Sequence, residues 1–394
     1  MRALFTVCWI LIIVWLVLRR VPPNIIKSER WVKWFFVGLV AYLATVCAVT
    51  LYSAGFENGV SWSARFCIKF IFFAFLLLYL RKESIALSFD VYSNLAVLLV
   101  LLSFITLVWI YFGSTNDVLS TYENVLQGEN ISRWLPVTIS GFDGFAWVSN
   151  KITNLARMQS YSYEPGGFAL AILPSLYWFV FVRENYVKAV VIMFGVAASW
   201  SLGALLAIGL AACILSLNRS VKKSGILFLV AGVVFFVASH ALIIRLMSDK
   251  SMESATSSVF EMLAGNRSLS ADQRKNEVGE TLSWLQSHPL GVGIHGYGAP
   301  SVGYLQVVME SGILGGLFYI LFFGLLGLAA LKVVSGNAAA KTSTVHVVLG
   351  LSILTCLFFG LQRDRPDASF WFMWIYASFL VHSLVINKEE ANGA

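Results

Sequence analysis

Charged residues are scarce in this sequence. Only 12% of its 394 residues are Asp, Glu, Lys or Arg, whereas 58% are hydrophobic. A soluble globular domain has roughly a quarter of its residues charged, and it has no means of burying so much apolar side chain. A bilayer does, because apolar helices can face its hydrocarbon core. The composition therefore excludes a soluble protein and predicts an all-α polytopic membrane protein.

Cysteine and histidine are also few. The five cysteines all lie in apolar segments, and the five histidines show no metal-ligand spacing. Neither pattern indicates a disulfide framework or a metal site. We therefore expect buried, unreactive thiols, and we predict no metal or other cofactor.

Apolar runs of the length that crosses a bilayer recur along the chain. They predict about eleven transmembrane helices in one integral membrane domain, residues 1–394. The runs lie near residues 3–18, 31–54, 64–80, 93–113, 165–182, 186–198, 201–217, 224–244, 312–334, 345–362 and 368–386. The short pair at 186–217 could instead be one bent hairpin.

Basic residues are distributed unevenly between the two sides of the predicted membrane domain. The short linkers on one side hold fifteen Lys and Arg residues, and those on the other side hold four. The positive-inside rule places the richer side in the cytoplasm, with the N-terminus outside and the C-terminus inside. Two long loops, 114–163 and 245–311, are separated by four spans, so both are external. The net charge of +7 then reflects membrane orientation, and no nucleic-acid partner is expected.

The first long loop ends in a polar stretch before the fifth span. Pro165 suits the first turn of a helix, where its missing N–H is not needed. Glu164 then lies at the positive end of the helix dipole and could act as a general base toward a hydroxyl. Arg157 could bind a phosphate. A simple helix cap and a surface charge are the alternatives for these two residues.

The second long loop contains a capping-box pattern that predicts a helix over residues 270–287. Val278, Leu282 and Leu285 fall on one face of this helix. Arg274 lies one turn earlier on that face, so we expect it to point toward the protein body, where a guanidinium requires an anion. The anion is either a ligand or a nearby carboxylate of the protein.

A glycine-rich segment, residues 289–298, follows the predicted helix. Its glycines allow the backbone to approach other groups closely. His295 could transfer a proton or bind a phosphate there, and a structural role is the alternative. Glu310 precedes the ninth span, where we expect it to cap the helix.

The order and spacing of these residues resemble the O-antigen polymerase and O-antigen ligase superfamily, the Wzy-type proteins of bacterial envelopes. Residues 157–169 are similar to the motif R-x-x-S-x-x-x-E-P-x-x-F-A. Arg274, the segment H-P-L-G-V-G at 288–293, Leu305 and residues 310–315 resemble the large-loop signature shared with the ligases. The likeness covers roughly residues 90–335. It implies a GT-C-like membrane fold and, from the usual family topology, as many as twelve spans.

The resemblance implies a glycosyltransferase that polymerises undecaprenyl-pyrophosphate-linked oligosaccharides at the periplasmic face of the bacterial inner membrane. Arg157 and Arg274 would stabilise the departing pyrophosphate, and Glu164 or His295 would accept the proton of the attacking hydroxyl. The implied substrate-binding residues are Arg245, Tyr161, Tyr163, Trp284 and Tyr304. Its expected partners are lipid-linked oligosaccharides and membrane lipid, with a chain-length regulator protein as a further candidate.

Two other functions compete with the polymerase. The first is an O-antigen ligase that transfers the glycan to lipid A–core. Ligases typically carry a histidine at the position of Ser301, so this departure favours the polymerase. The second is a flippase or transporter of lipid-linked oligosaccharides. Lys69 is the one cation well inside a predicted span, whereas ion-coupled transport needs charges along a path.

Overall fold

A computed structural model describes much of the chain. The described residues are 30–112, 118–124, 129–134, 145–149, 154–158, 165–218, 221–248, 254, 269–294, 303–336, 343–360, 365 and 370–393. The chain divides into two compact units. The first comprises residues 1–87, 274–333 and 338–394, and the second comprises residues 88–273 and 334–337.

The described residues form α-helices, one π-helical turn and one small sheet. The helices are α1 (Arg30–Ala54), α2 (Phe56–Tyr79), α3 (Lys82–Phe112), α4 (Pro165–Tyr177), α5 (Tyr186–Ala198), α6 (Leu202–Ser216), α7 (Lys223–Ser248), α8 (Leu269–Ser287), α9 (Gly303–Val334), α10 (Thr344–Gly360) and α11 (Phe370–Gly393). The π-helical turn, Trp178–Val182, directly follows α4. The strands are β1 (Val118–Asn124), β2 (Glu129–Trp134), β3 (Phe145–Ser149) and β4 (Asn154–Met158).

The helices show a multi-pass membrane protein of the α-helical class. Five of them, α1, α2, α3, α7 and α9, are long and apolar enough to cross a bilayer. The predicted spans from 31–54 to 368–386 each coincide with a described helix, although α2, α3 and α9 begin earlier than predicted. The predicted span 3–18 lies outside the described residues. The total of eleven spans stays a prediction.

A four-stranded sheet occupies part of the first long loop. Its strands are antiparallel and follow sequence order, β1-β2-β3-β4. The expected all-α class therefore applies to the helical body and not to this loop. None of the four strand sequences alternates strictly between apolar and polar residues, so the pattern that predicts a strand is absent.

Aromatic rings from three helices form part of the core of the first unit. Tyr42 of α1 lies edge-on to Tyr319 of α9, with ring centroids 5.0 Å apart. It also contacts Phe66 of α2 and Phe322 of α9, at 6.2 and 5.5 Å. Tyr42, Tyr319 and Phe322 are fully buried. Such ring pairs add stability beyond the burial of their area, and they hold α1, α2 and α9 together.

An ion pair joins α3 to the π-helical turn in the second unit. The guanidinium of Arg183 binds both carboxylate oxygens of Asp90. The indole N–H of the buried Trp178 donates to the same carboxylate at 2.8 Å. The hydrogen bonds to Asp90 raise the pKa of the Arg183 guanidinium, because its charged form gains an acceptor.

The cysteines depart from the expected uniform burial. Cys356 is buried, but Cys213 is exposed and Cys47 and Cys67 are half-buried. Cys47 lies on α1 and Cys67 on α2, with their Sγ atoms 3.5 Å apart. The prediction of buried thiols is therefore wrong for Cys213, and two of the thiols form a neighbouring pair.

Candidate functional site

Helix α9 is broken at one residue near its start. Gly312 has φ 68° and ψ −173°, which separates a short first segment, Gly303–Ser311, from the long apolar segment that follows. The predicted ninth span begins at this residue. A positive φ is accessible to glycine at little cost. The break leaves helix ends whose backbone groups need partners.

The preceding segment supplies those partners. We call residues 289–294 the signature turn. The carbonyl oxygen of Pro289 accepts a hydrogen bond from Ile313 N at 3.1 Å, at the start of the second segment. Val292 N donates to Met309 O at 3.0 Å, and Gly293 N donates to Glu310 O at 2.9 Å, at the end of the first segment. The signature turn thus fills the break in α9.

Backbones approach closely around the signature turn. A Cβ atom on Gly312 would lie 2.5 Å from the carbonyl oxygen of Pro289. A Cβ atom on Gly293 would lie 2.7 Å from Cα of Thr50 in α1. The next amide, Ile294 N, donates to the Oγ1 atom of Thr50 at 3.1 Å. The presence of Gly293 and Gly312 therefore has a steric cause, and the signature turn is bound to α1 as well as α9.

Helix α8 leads into the signature turn, but it presents a different face from the one predicted. Val278 and Leu282 are 41% and 59% exposed. Thr281 is buried instead, and its Oγ1 lies 3.6 Å from the sulfur of Met309. The predicted buried face is therefore wrong at Val278 and Leu282, while Leu285 is half-buried. The side chain of Arg274 is not among those that the structure describes, so its expected orientation stays a prediction.

The end of α8 carries one predicted substrate-binding aromatic residue. The ring of Trp284 stacks on the imidazole of His288, with centroids 4.5 Å apart and planes 11° apart. Ser287 Oγ lies 2.9 Å from Nδ1 of the same imidazole. One face of Trp284 is therefore covered by His288.

Tyr304 lies at the start of α9 and takes part in helix packing. Its hydroxyl donates to the carbonyl oxygen of Leu357 at 2.9 Å, and its ring lies edge-on to Tyr319 with centroids 6.0 Å apart. The proposed role of Tyr304 in binding sugar stays a prediction.

Glu310, which we expected to cap a helix, forms a buried ion pair. Its side chain is buried and accepts a hydrogen bond from Arg365 at Oε2. Gln306, one turn earlier, donates to Oε1 at 3.0 Å. Arg365 is one of the four basic residues in the short linkers of the predicted external side. An arginine in a loop between apolar spans indicates that an anionic partner is needed, but the sequence does not show which carboxylate that is.

The remaining predicted residues belong to the second unit or lie outside the description. Arg157 lies in β4, where its backbone pairs with Ala146 of β3. Arg245 is exposed in the last turn of α7. Helix α4 begins at Pro165, as the sequence predicts. The predicted site residues outside the described part of the chain are Tyr161, Tyr163, Glu164 and His295; the side chains of Arg157 and Arg274 are outside it as well.

No group of three or more His, Cys, Asp or Glu side chains in the described ranges could hold a metal ion. No model of a known protein family matches the chain, and no curated protein matches it.

Proposed function

We propose that this chain is a membrane glycosyltransferase that polymerises undecaprenyl-pyrophosphate-linked oligosaccharides into O-antigen or a related surface polysaccharide. The observation that supports this most is the signature turn. The family resemblance treats residues 288–293 and 310–315 as one interrupted signature. Two backbone hydrogen bonds join these stretches at the break in α9, from Gly293 N to Glu310 O and from Ile313 N to Pro289 O. The two stretches therefore act as one structural element.

The expected chemistry needs positive charge and a base. A departing pyrophosphate is stabilised by cations placed where its charge develops. Arg274 lies in α8, whose last residue is followed directly by the segment that forms the signature turn. In this proposal Arg274 binds the pyrophosphate, and either His295, the residue after the signature turn, or Glu164 accepts the proton of the attacking hydroxyl. Arg157, from the first loop, keeps its proposed role at the pyrophosphate.

A helical membrane body suits substrates that are themselves anchored in the bilayer. The lipid-linked donor and acceptor both diffuse in the membrane plane, so an enzyme that joins them needs lipid-facing helices beside polar segments. The exposed apolar side chains of α1, α3, α7 and α9 agree with lipid contact along these helices. This supports a membrane-embedded enzyme, and the periplasmic face of the inner membrane belongs to the proposal through the family resemblance.

A gene deletion distinguishes the competing functions. Lipopolysaccharide from the deletion strain would be separated on a gel, with the complemented strain as the control. Loss of the polymerase should leave core carrying a single repeat unit. Bare core with accumulated lipid-linked polymer would indicate the ligase. Absence of both core-linked repeats and periplasmic polymer would indicate a flippase, and an unchanged ladder would contradict all three.

One arginine tests the mechanism. Arg274→Ala should abolish the long ladder while the protein remains in the membrane at normal amount. Lys275→Ala is the matched control, because it removes a neighbouring cation of the same helix that the signature does not include. A normal ladder in Arg274→Ala would remove this residue from the mechanism.

A further inference from the structure

A buried ion pair lies beside the signature turn. Arg365 is 6% exposed and Glu310 is 8% exposed, and the Arg365 guanidinium binds Oε2 of Glu310. Gln306 donates to the other carboxylate oxygen at 3.0 Å. Both oxygens of this buried carboxylate therefore have donors, which a buried charge requires.

Arg365 binds two further helices. Its Nη2 atom donates to the hydroxyl of Tyr42 in α1 at 2.6 Å. Its guanidinium also lies over the ring of Phe66 in α2, 5.0 Å from the centroid. A planar guanidinium can make these contacts at the same time, whereas a lysine ammonium is a single point charge. Arg365 thus links α1, α2 and the first segment of α9.

The same two helices, α1 and α9, hold consecutive amides of the signature turn. Gly293 N donates to the carbonyl oxygen of Glu310, the residue whose side chain Arg365 binds. Ile294 N donates to Thr50, which lies about two helical turns beyond Tyr42 on α1. The position of the signature turn therefore depends on the separation of α1 and α9, and Arg365 bridges these two helices.

Stability alone does not account for this arrangement. Buried ion pairs contribute little net stability, because desolvation offsets their attraction, and apolar replacements are often equally stable. The ion pair can instead determine the positions of the groups that it joins. A displacement of about 1 Å in a positioning group can cost about a hundredfold in rate.

We propose that Arg365 is a positioning residue, which sets α1 against the first segment of α9 and so fixes the signature turn. The effect on synthesis rests on the proposed function, since the signature turn connects the helix of Arg274 to His295. The effect on the conformation of the turn does not depend on that function.

The test compares single and double variants. Arg365→Met leaves the Glu310 carboxylate buried without its cation, so we expect less folded protein. Arg365→Met combined with Glu310→Gln removes both charges and should restore the amount in the membrane and the thermal midpoint. Arg363→Met is the matched control, because it removes a cation two residues away.

Hydrogen–deuterium exchange then separates positioning from stability. In the double variant we expect amides 292–294 to exchange about tenfold faster than in the unaltered protein, while amides of α7 do not change. The long polysaccharide ladder should be lost at normal protein amount. Tyr42→Phe, which keeps the ring and removes the acceptor hydroxyl, should accelerate exchange at the same amides by a smaller factor.

The outcomes are distinct. Unaltered exchange at 292–294 in both the double variant and Tyr42→Phe would overturn the positioning role, whatever the ladder shows. Faster exchange in a strain whose ladder does not depend on the gene would support positioning and contradict the proposed function. If the double variant does not accumulate, Tyr42→Phe alone decides the positioning role.

Discussion

The amide of Gly293 donates a 2.9 Å hydrogen bond to the carbonyl oxygen of Glu310. This bond joins the signature turn to the last turn of a helix that ends at the Gly312 break. Carbonyl groups at a helix end lack partners within the helix, so the signature turn and the break satisfy each other. The glycines of this region are sensitive positions, because the backbones meet here with no room for a Cβ atom.

Replacing Gly293 with alanine should destabilise the protein. Its φ of 79° lies in the left-handed region, and a Cβ atom would lie 2.7 Å from Cα of Thr50. The left-handed conformation alone costs a non-glycine residue about 1–2 kcal/mol, and the steric contact adds to this. The thermal midpoint of the purified protein in detergent should fall clearly.

Gly279→Ala is the matched control for that experiment. Gly279 lies in α8, and a Cβ atom there meets nothing within 4 Å. Alanine in a helix interior is favoured over glycine by roughly 0.5–1 kcal/mol, so this variant should be equally or more stable. Equal midpoints for Gly293→Ala and the unaltered protein would contradict the described turn.

Replacing Thr50 with valine tests the contact between α1 and the signature turn. Thr50 is fully buried, and its Oγ1 accepts the hydrogen bond of the buried Ile294 amide. Valine has a similar shape but no acceptor, so the amide would be left unsatisfied at a cost of about 1–3 kcal/mol. The expected result is a lower thermal midpoint and faster exchange at residue 294.

Thr45→Val provides the comparison on the same helix. The hydroxyl of Thr45 donates to the carbonyl oxygen of Ala41, which lies within α1. Its removal leaves no amide of the signature turn without an acceptor, so the thermal midpoint should change little. A larger loss for Thr45→Val than for Thr50→Val would mean that the Thr50 contact is not important.

The helical body could largely be predicted from the sequence, because hydropathy depends on composition and not on pairing. The bounds of α5, Tyr186–Ala198, agree with the predicted span 186–198. Pro165 begins α4 for the reason expected of a residue without an N–H. The glycine-rich segment predicts close backbone approach, but the sequence does not show that Thr50 of α1 and the break in α9 are what it approaches.

The contacts of the candidate site could not be predicted in the same way. Glu310 and Arg365 are separated by 55 positions, and only tertiary packing brings them together. Likewise, the face of α8 that packs is marked by Thr281 and not by its apolar residues. Three apolar positions form only a narrow stripe, and such a stripe does not determine which face of a helix packs.

The ion pair in the second unit gives a further prediction. Asp90→Ala removes the carboxylate that accepts both from Arg183 and from the indole of the fully buried Trp178. The indole N–H then loses this acceptor, which should cost about 1–3 kcal/mol. Glu184→Gln is the control, since Glu184 makes an exposed ion pair with Lys222 and such pairs contribute roughly 0–1 kcal/mol. Equal thermal midpoints for the two variants would contradict a structural role for Asp90.

The two neighbouring thiols in the first unit give the last prediction. The Sγ atoms of Cys47 and Cys67 are 3.5 Å apart, on the adjoining helices α1 and α2. A disulfide needs a separation of about 2.0 Å, so only a small adjustment of the side chains is required. Mild oxidation with a copper–phenanthroline complex should join them, with two electrons passing to copper and oxygen and two protons to water.

The cross-link is measured by labelling the denatured protein with a maleimide-linked polymer before and after oxidation. The chain has five cysteines, so oxidation should remove two labels, and a reductant should restore them. Cys67→Ser should abolish the change. Cys213→Ser should not affect it, because Cys213 is exposed on a different helix. Undiminished labelling after oxidation would show that α1 and α2 do not place these two thiols side by side.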